Sequence, residues 1–131
     1  MAGDITVALL GPVQVGTDGR LVPVAGVKLQ SLLAMLALAA PHPVSDDRLL
    51  VELWGDDQPA KPANAMQALV SNLRRLLGRD AVERQGSGYV LRVDPDTVDA
   101  TRLDRLVQEG RDAVGRGDHT AAGEHFRAAA V

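Results

Sequence analysis

Asn64, Gln67, Ser71 and Arg74 lie three or four residues apart, with Arg75 beside the last of them, so all five fall on one side of a helix. Their chemistry is that of base-edge recognition. The arginine fork matches the two acceptors of guanine, the Asn and Gln amides match the donor and acceptor of adenine, and a serine hydroxyl serves either. Lys61, Arg79, Arg84 and Arg92 flank this set and suit phosphate oxygens, which add affinity without reading sequence. A helix has to position the five. Pro62 fits a first helical turn and Gly78 the residue just past the last one. Between them Met66, Leu69, Val70, Leu73, Leu76 and Leu77 repeat at helical spacing and form an apolar face opposite the polar one. Ala81 to Val93 then reads as two short strands joined at Gly86-Ser87-Gly88, a β-hairpin.

Charge agrees with this placement although the whole chain does not. The 131 residues carry a formal charge of −3, where a phosphate-binding domain is usually basic. Residues 61–92 nevertheless hold six basic against two acidic residues, a net +4, and residues 44–57 hold one against five, a net −4. Such segregation predicts a basic face for one partner and an acidic face for another partner or for solvent. The plain alternative is two solvated faces.

Other classes are excluded by what is missing. Without cysteine there is no disulfide, thiolate metal site or cysteine nucleophile, a composition compatible with the cytoplasm. The N-terminus shows no basic region before an apolar run, and the longest apolar stretch, Leu32 to Ala40, is far short of the roughly 20 residues that span a bilayer. A soluble, cytoplasmic protein without membrane contact is expected. His42, His119 and His125 share no metal-binding spacing, and Gly86-Ser87-Gly88 is too short to cradle a phosphate. No enzyme, metal or cofactor is expected. With Trp54, Tyr89 and Phe126 as the only aromatics, the core must be built from Leu, Val and Ala.

The remaining elements follow in order. Ile5 to Leu10, Val13 to Val15 and Leu21 to Val24 are β-prone runs broken by Gly11-Pro12 and by Thr17 to Arg20, a small antiparallel sheet. Val27 to Ala39 is a helix apolar nearly all round, the expected centre of the core, with Lys28, Gln30 and Ser31 at its start facing either solvent or a phosphate backbone. Pro41 and Pro43 stop it, and Val44 allows a brief strand. Ser45 is the candidate N-cap of a helix Asp46 to Trp54, whose Asp46 and Asp47 suit the positive end of the helix dipole. Gly55 ends it. Sheet, helix, short helix, loop, helix and hairpin is the order of a winged helix-turn-helix, an α+β fold.

Leu9-Leu10-Gly11-Pro12, Leu53-Trp54-Gly55, Ser71-Asn72-Leu73-Arg74-Arg75-Leu76-Leu77-Gly78 and Gly86-Ser87-Gly88-Tyr89, in this order and spacing, resemble the OmpR-type DNA-binding domain. More narrowly they resemble the version in the Streptomyces antibiotic regulatory protein family. The resemblance covers about residues 5–93 and implies an N-terminal four-stranded sheet, three helices and a C-terminal wing. It also implies that the third helix, Pro62 to Leu77, reads double-stranded DNA in two copies on tandem direct repeats, and that the loop Gly55 to Lys61, with Asp56, Asp57 and Gln58, is available to RNA polymerase. Response regulators of this type often carry an arginine directly before the wing's first glycine. Here Gln85 holds that place and Arg84 precedes it; since one residue on a strand is a change of face, either can be the one that touches DNA.

From Asp94 the character changes. Asp99 to Arg116 and Thr120 to Val131 read as two helices, which resemble the first tetratricopeptide-like pair of the bacterial transcriptional activator domain in the same family. Residues 1–94 are thus expected to be the winged-helix domain and 95–131 the beginning of the helical one, in a chain that is part of a longer regulator. A sequence-specific transcriptional activator is the expected function. The rival is a protein-interaction module without DNA binding of its own, using the acidic segment and the helices after Asp99.

Overall fold

The computed structural model describes residues 5–17 and 20–115. Three short strands, β1 (Ile5–Ala8), β2 (Gln14–Thr17) and β3 (Arg20–Pro23), pair antiparallel in that order. Ile5, Val7 and Val15 are buried while Thr6 is exposed, so alternation along the strands turns one face to the core. A fourth full strand is absent among the described residues. Its place at the free edge of β1 is taken by a single parallel bridge from Val7 to the fully buried Val98, which blunts that edge. The brief strand expected at Val44, β4 (Val44–Ser45), pairs elsewhere, as described below.

Helix α1 (Val27–Ala39) is the centre of the core, as its composition predicts. Leu32, Leu33 and Leu36 are fully buried and Ala37 nearly so. The burial is one-sided, however, and Val27 and Leu38, three turns apart on one face, are 77% and 57% exposed. Helix α2 (Asp46–Trp54) begins where expected, with the Ser45 hydroxyl accepting from the Arg48 amide at 3.2 Å and Asp46 and Asp47 in the first turn. Gly55 closes it at a φ of 57°.

Helix α3 (Pro62–Leu77) buries Met66, Val70, Leu73 and Leu77 and half-buries Leu69 and Leu76 against α1, β2 and the hairpin. Each full burial is worth about 1.5–3 kcal/mol, so the apolar face holds the helix in place and leaves its other face free. Gly78, at a φ of 106°, turns the chain out of the helix. The wing follows as β5 (Val82–Gln85) and β6 (Gly88–Leu91), with β4 on the other side of β6. Gly88 is required there: a Cβ on it would stand 2.5 Å from the Val44 carbonyl oxygen.

After a 3-10 turn, Pro95–Thr97, comes α4 (Asp99–Gly115), the first of the two helices expected beyond Asp94. The Asp99 carboxylate accepts from the amides of Leu9 at 2.7 Å and Leu10 at 3.2 Å, fastening α4 to the end of β1. Leu106 is buried, with Leu103 and Val107 partly so. The second expected helix, Thr120 to Val131, and His119 and His125 lie outside the described residues.

Candidate nucleic-acid interface

The exposed side of α3 is one strip. Asn64, Gln67, Ser71 and Arg75 stand on it with Ala68 and Asn72, all exposed. Ala68 belongs to that surface although its residue type gives little reason to select it, and Asn72, at the flank of the helix, is exposed there as well; helical spacing from Asn64 and Arg75 is the signal that finds both. Among the described residues the side chains of Arg75, Arg79 and Lys61 make no hydrogen bond or ion pair, so three cations flank or occupy the strip unengaged. Ser71, Arg74, Arg75 and Arg79 together line a shallow depression at its C-terminal end.

Arg74 is different from its neighbour. Half-buried, it turns under the strip, and its Nε and Nη2 donate to the Val82 carbonyl at 3.1 and 3.0 Å. One side chain thereby joins the helix to the first residue of the wing. The sequence, which shows only two adjacent arginines on an amphipathic helix, carries no sign of this division.

Arg84 is likewise engaged. Its Nη1 and Nη2 donate to the two carboxylate oxygens of Asp46, both at 2.6 Å, and its guanidinium carbon lies 4.7 Å from the centre of the Tyr89 ring. The hydrogen bonds to Asp46 raise the guanidinium pKa further above its ordinary value, against a smaller opposing effect of desolvation. Arg84 faces Tyr89 directly across the ladder, so both share the face that looks toward α2. Gln85, opposite Gly88, points to the other face and is exposed. On that face Arg92 donates to Glu83 at 2.9 Å.

A groove of about 800 Å³ runs between the first turn of α2, the flank of α3 and the wing, lined among others by Asp46, Asp47, Gln67, Ser71, Arg74 and Arg84. The groove is mixed in sign. Asp46 and Asp47 are helix-start acids, as their position suggests, but Asp46 also neutralises the wing arginine, a pairing across 38 residues that no local pattern reveals.

Two other polar groups are held in the scaffold. Lys28 donates to the Leu53 carbonyl at 3.0 Å with its ammonium 5.4 Å from the Trp54 ring, and Gln30 donates to the Val24 carbonyl at 2.7 Å. These bonds join α1 to the end of α2 and to the sheet, and they take both side chains away from the phosphate role considered for them. In the loop before α3, Gln58 donates to the carbonyls of Leu50 and Gly55, both at 3.0 Å, closing the end of α2, while Asp56 and Asp57 remain exposed. No group of three or more potential metal ligands occurs among the described residues, and no helix there is long and apolar enough to cross a membrane.

Residues 25–91 match the family described as "Transcriptional regulatory protein, C terminal". The chain belongs to the Streptomyces antibiotic regulatory protein family and carries its OmpR-type winged helix. It is 36% identical to the transcriptional regulator RedD of Streptomyces coelicolor over 82% of this chain and 33% of that protein. It is also 32% identical to the regulatory protein DnrI of Streptomyces peucetius over 92% of this chain and 48% of that one. A solved structure, Mycobacterium tuberculosis EmbR in complex with a low-affinity phosphopeptide, superposes with a TM-score of 0.83 at 30% identity, covering 95% of this chain and 35% of EmbR. The chain thus spans less than half the length of each of these relatives. RedD and EmbR are named as transcriptional regulators and DnrI as a regulatory protein, in keeping with the transcription regulator expected from the sequence.

Proposed function

We propose that this chain is the DNA-reading part of a transcriptional activator, with α3 in the major groove and the wing against the neighbouring backbone or minor groove. The observation that carries the reading is the exposed strip of α3, where Asn64, Gln67, Ser71 and Arg75 stand together beside unengaged Lys61 and Arg79. Arg75, nearest the middle of the strip, is the principal base contact. Asn64, Gln67 and Ser71 read neighbouring bases, and the exposed methyl of Ala68 suits a thymine methyl. Lys61 and Arg79 meet phosphates, as does Gln85 or Arg84 at the wing; Arg92, paired to Glu83, contributes less. Arg74 acts from below the strip by holding the wing to the helix.

Asp56 and Asp57 offer RNA polymerase an exposed acidic loop whose shape Gln58 maintains. Residues 1–94 form the DNA-binding unit and 95–131 begin the helical activator domain; two copies bind tandem direct repeats. The test is fluorescence anisotropy on duplexes tiling the DNA upstream of the gene and its neighbours, with a footprint on the best binder. Protected tracts at a repeated spacing are expected, and Arg75→Ala should weaken binding by about 1–3 kcal/mol. No binding to any duplex even at low salt would sink the reading in favour of a protein-interaction module.

A further inference from the structure

The tip of the wing is tied to the first turn of α2 at three levels. Val44 and Ser45 pair with Tyr89 and Gly88, and the Asp46 amide donates to the Ser87 carbonyl at 2.8 Å. The Asp46 carboxylate then receives both terminal nitrogens of Arg84 over the Tyr89 ring. The backbone bonds fix where the strand lies. The side-chain pair fixes something they cannot, the direction of a long and otherwise free arginine.

An end-on fork of this kind uses one N–H from each terminal nitrogen. The Nε–H and the second N–H of each terminal nitrogen lie outside the ion pair, three donors on a guanidinium whose pose is already set. Arg84 is 48% exposed and lines the groove that Gln67 and Ser71 of α3 also line. An isolated Asp46 in that position would repel a phosphate strand. Paired, it leaves the groove rim close to neutral, with the remaining donors of the guanidinium not spent on the carboxylate.

Resting on the DNA-binding reading above, we propose that Asp46 is a positioning residue: it holds Arg84 over Tyr89 so that the outer N–H groups of the guanidinium meet a DNA phosphate at the rim between wing and α3. The ordering cost of the arginine is met in the folding of the protein and not at the moment of binding. Asp46 itself need not touch DNA. The opposite arrangement, a latch in which Asp46 withholds Arg84 from DNA, makes the opposite prediction for the same substitution.

The experiment is a cycle of Asp46→Asn, Arg84→Gln and the double variant, titrated against the best-bound duplex across a range of salt. Arg84→Gln should lower the slope of log K against log salt by about one. Asp46→Asn should weaken binding about 3- to 10-fold in the parent and have no effect, or tighten binding slightly, once Arg84 is gone. Tighter binding by Asp46→Asn in the parent would establish the latch and overturn the proposal, as would equal weakening in both backgrounds. A readout without DNA separates this from the function itself. In the free protein the Arg84 guanidinium nitrogens should show hindered rotation by NMR that Asp46→Asn abolishes. Free rotation in a parent that binds DNA overturns the positioning role alone. Hindered rotation in a parent that binds no duplex removes the DNA-binding reading, and the proposal falls with it.

Discussion

Adjacent arginines on α3 should fail in opposite ways when each is changed to alanine. Arg74 is half-buried and places two N–H groups on the Val82 carbonyl, so its removal deletes a charge-assisted contact worth about 1.5–3 kcal/mol. It also leaves that carbonyl under-satisfied where the wing meets the helix. For a domain of this size the loss corresponds to about 5–12 °C in Tm. Arg75, exposed and without a partner, should change stability by less than about 0.5 kcal/mol. On DNA the order reverses for specificity. Arg75→Ala should flatten the preference among single-base variants of the duplex, whereas Arg74→Ala should weaken binding to all of them together because the wing is displaced. Thermal melts followed by circular dichroism and anisotropy against a panel of base-substituted duplexes supply both measurements. If Arg74→Ala melts with the parent and selectively loses one base preference, Arg74 is a base reader and the strut is a wrong account.

Gly88→Ala should destabilise the wing by at least about 2 kcal/mol, because its Cβ meets a backbone carbonyl that cannot turn aside; a melt within a degree of the parent would contradict the close approach of β4 and β6. Gln85→Arg, at an exposed strand position, should leave Tm unchanged and raise the DNA salt slope by about one if that face of the wing lies against phosphates. An unchanged slope is the outcome that agrees with the phosphate contact proposed for Arg84 on the opposite face. Asp99→Ala removes the acceptor for Leu9 and Leu10 and should cost about 1–2 kcal/mol. Hydrogen exchange should rise at those two amides and along α4 but not in α3; unchanged exchange would mean that the carboxylate does not hold the junction.

Local signals in the sequence located the elements well, and long-range pairings escaped it. Ser45, Pro62 and Gly78 mark helix ends through bonds made within a few residues, so α2 and α3 fall where those residues place them. The apolar repeat of α3 likewise separates buried from exposed side chains with little error. The four-stranded sheet came from resemblance and became three strands and a bridge, because only one residue of the 95–98 segment reaches the edge of β1. Individual arginines were the least legible. Whether Arg74 or Arg75 carries the free guanidinium depends on a carbonyl in the next element, and whether Arg84 is solvated depends on a carboxylate 38 residues away.

The charge balance shows why a chain of net −3 can still present DNA with an attractive surface. Helix α4 adds Asp99, Asp104, Glu109 and Asp112, together with Asp96 just before it, yet Arg105 pairs with Asp96 at 3.0 Å and Glu109 at 2.9 Å. Its place matters as much. Leu103, Leu106 and Arg102 line a small cleft with Thr6, on the face of β1 opposite to the buried Ile5 and Val7, whereas α3 packs from the core side through β2. Helices α4 and α3 thus meet the N-terminal sheet through different strands, β1 and β2. Solvent-exposed charges further apart than the Debye length of about 8 Å at physiological salt are largely screened from one another. In the proposed complex, solvent would screen the α4 acids from the duplex more strongly than Arg75 and Arg79, which stand on the strip or at its end. The overall sign of the protein is then a poor guide to its partner, and the local +4 of residues 61–92 is the better one.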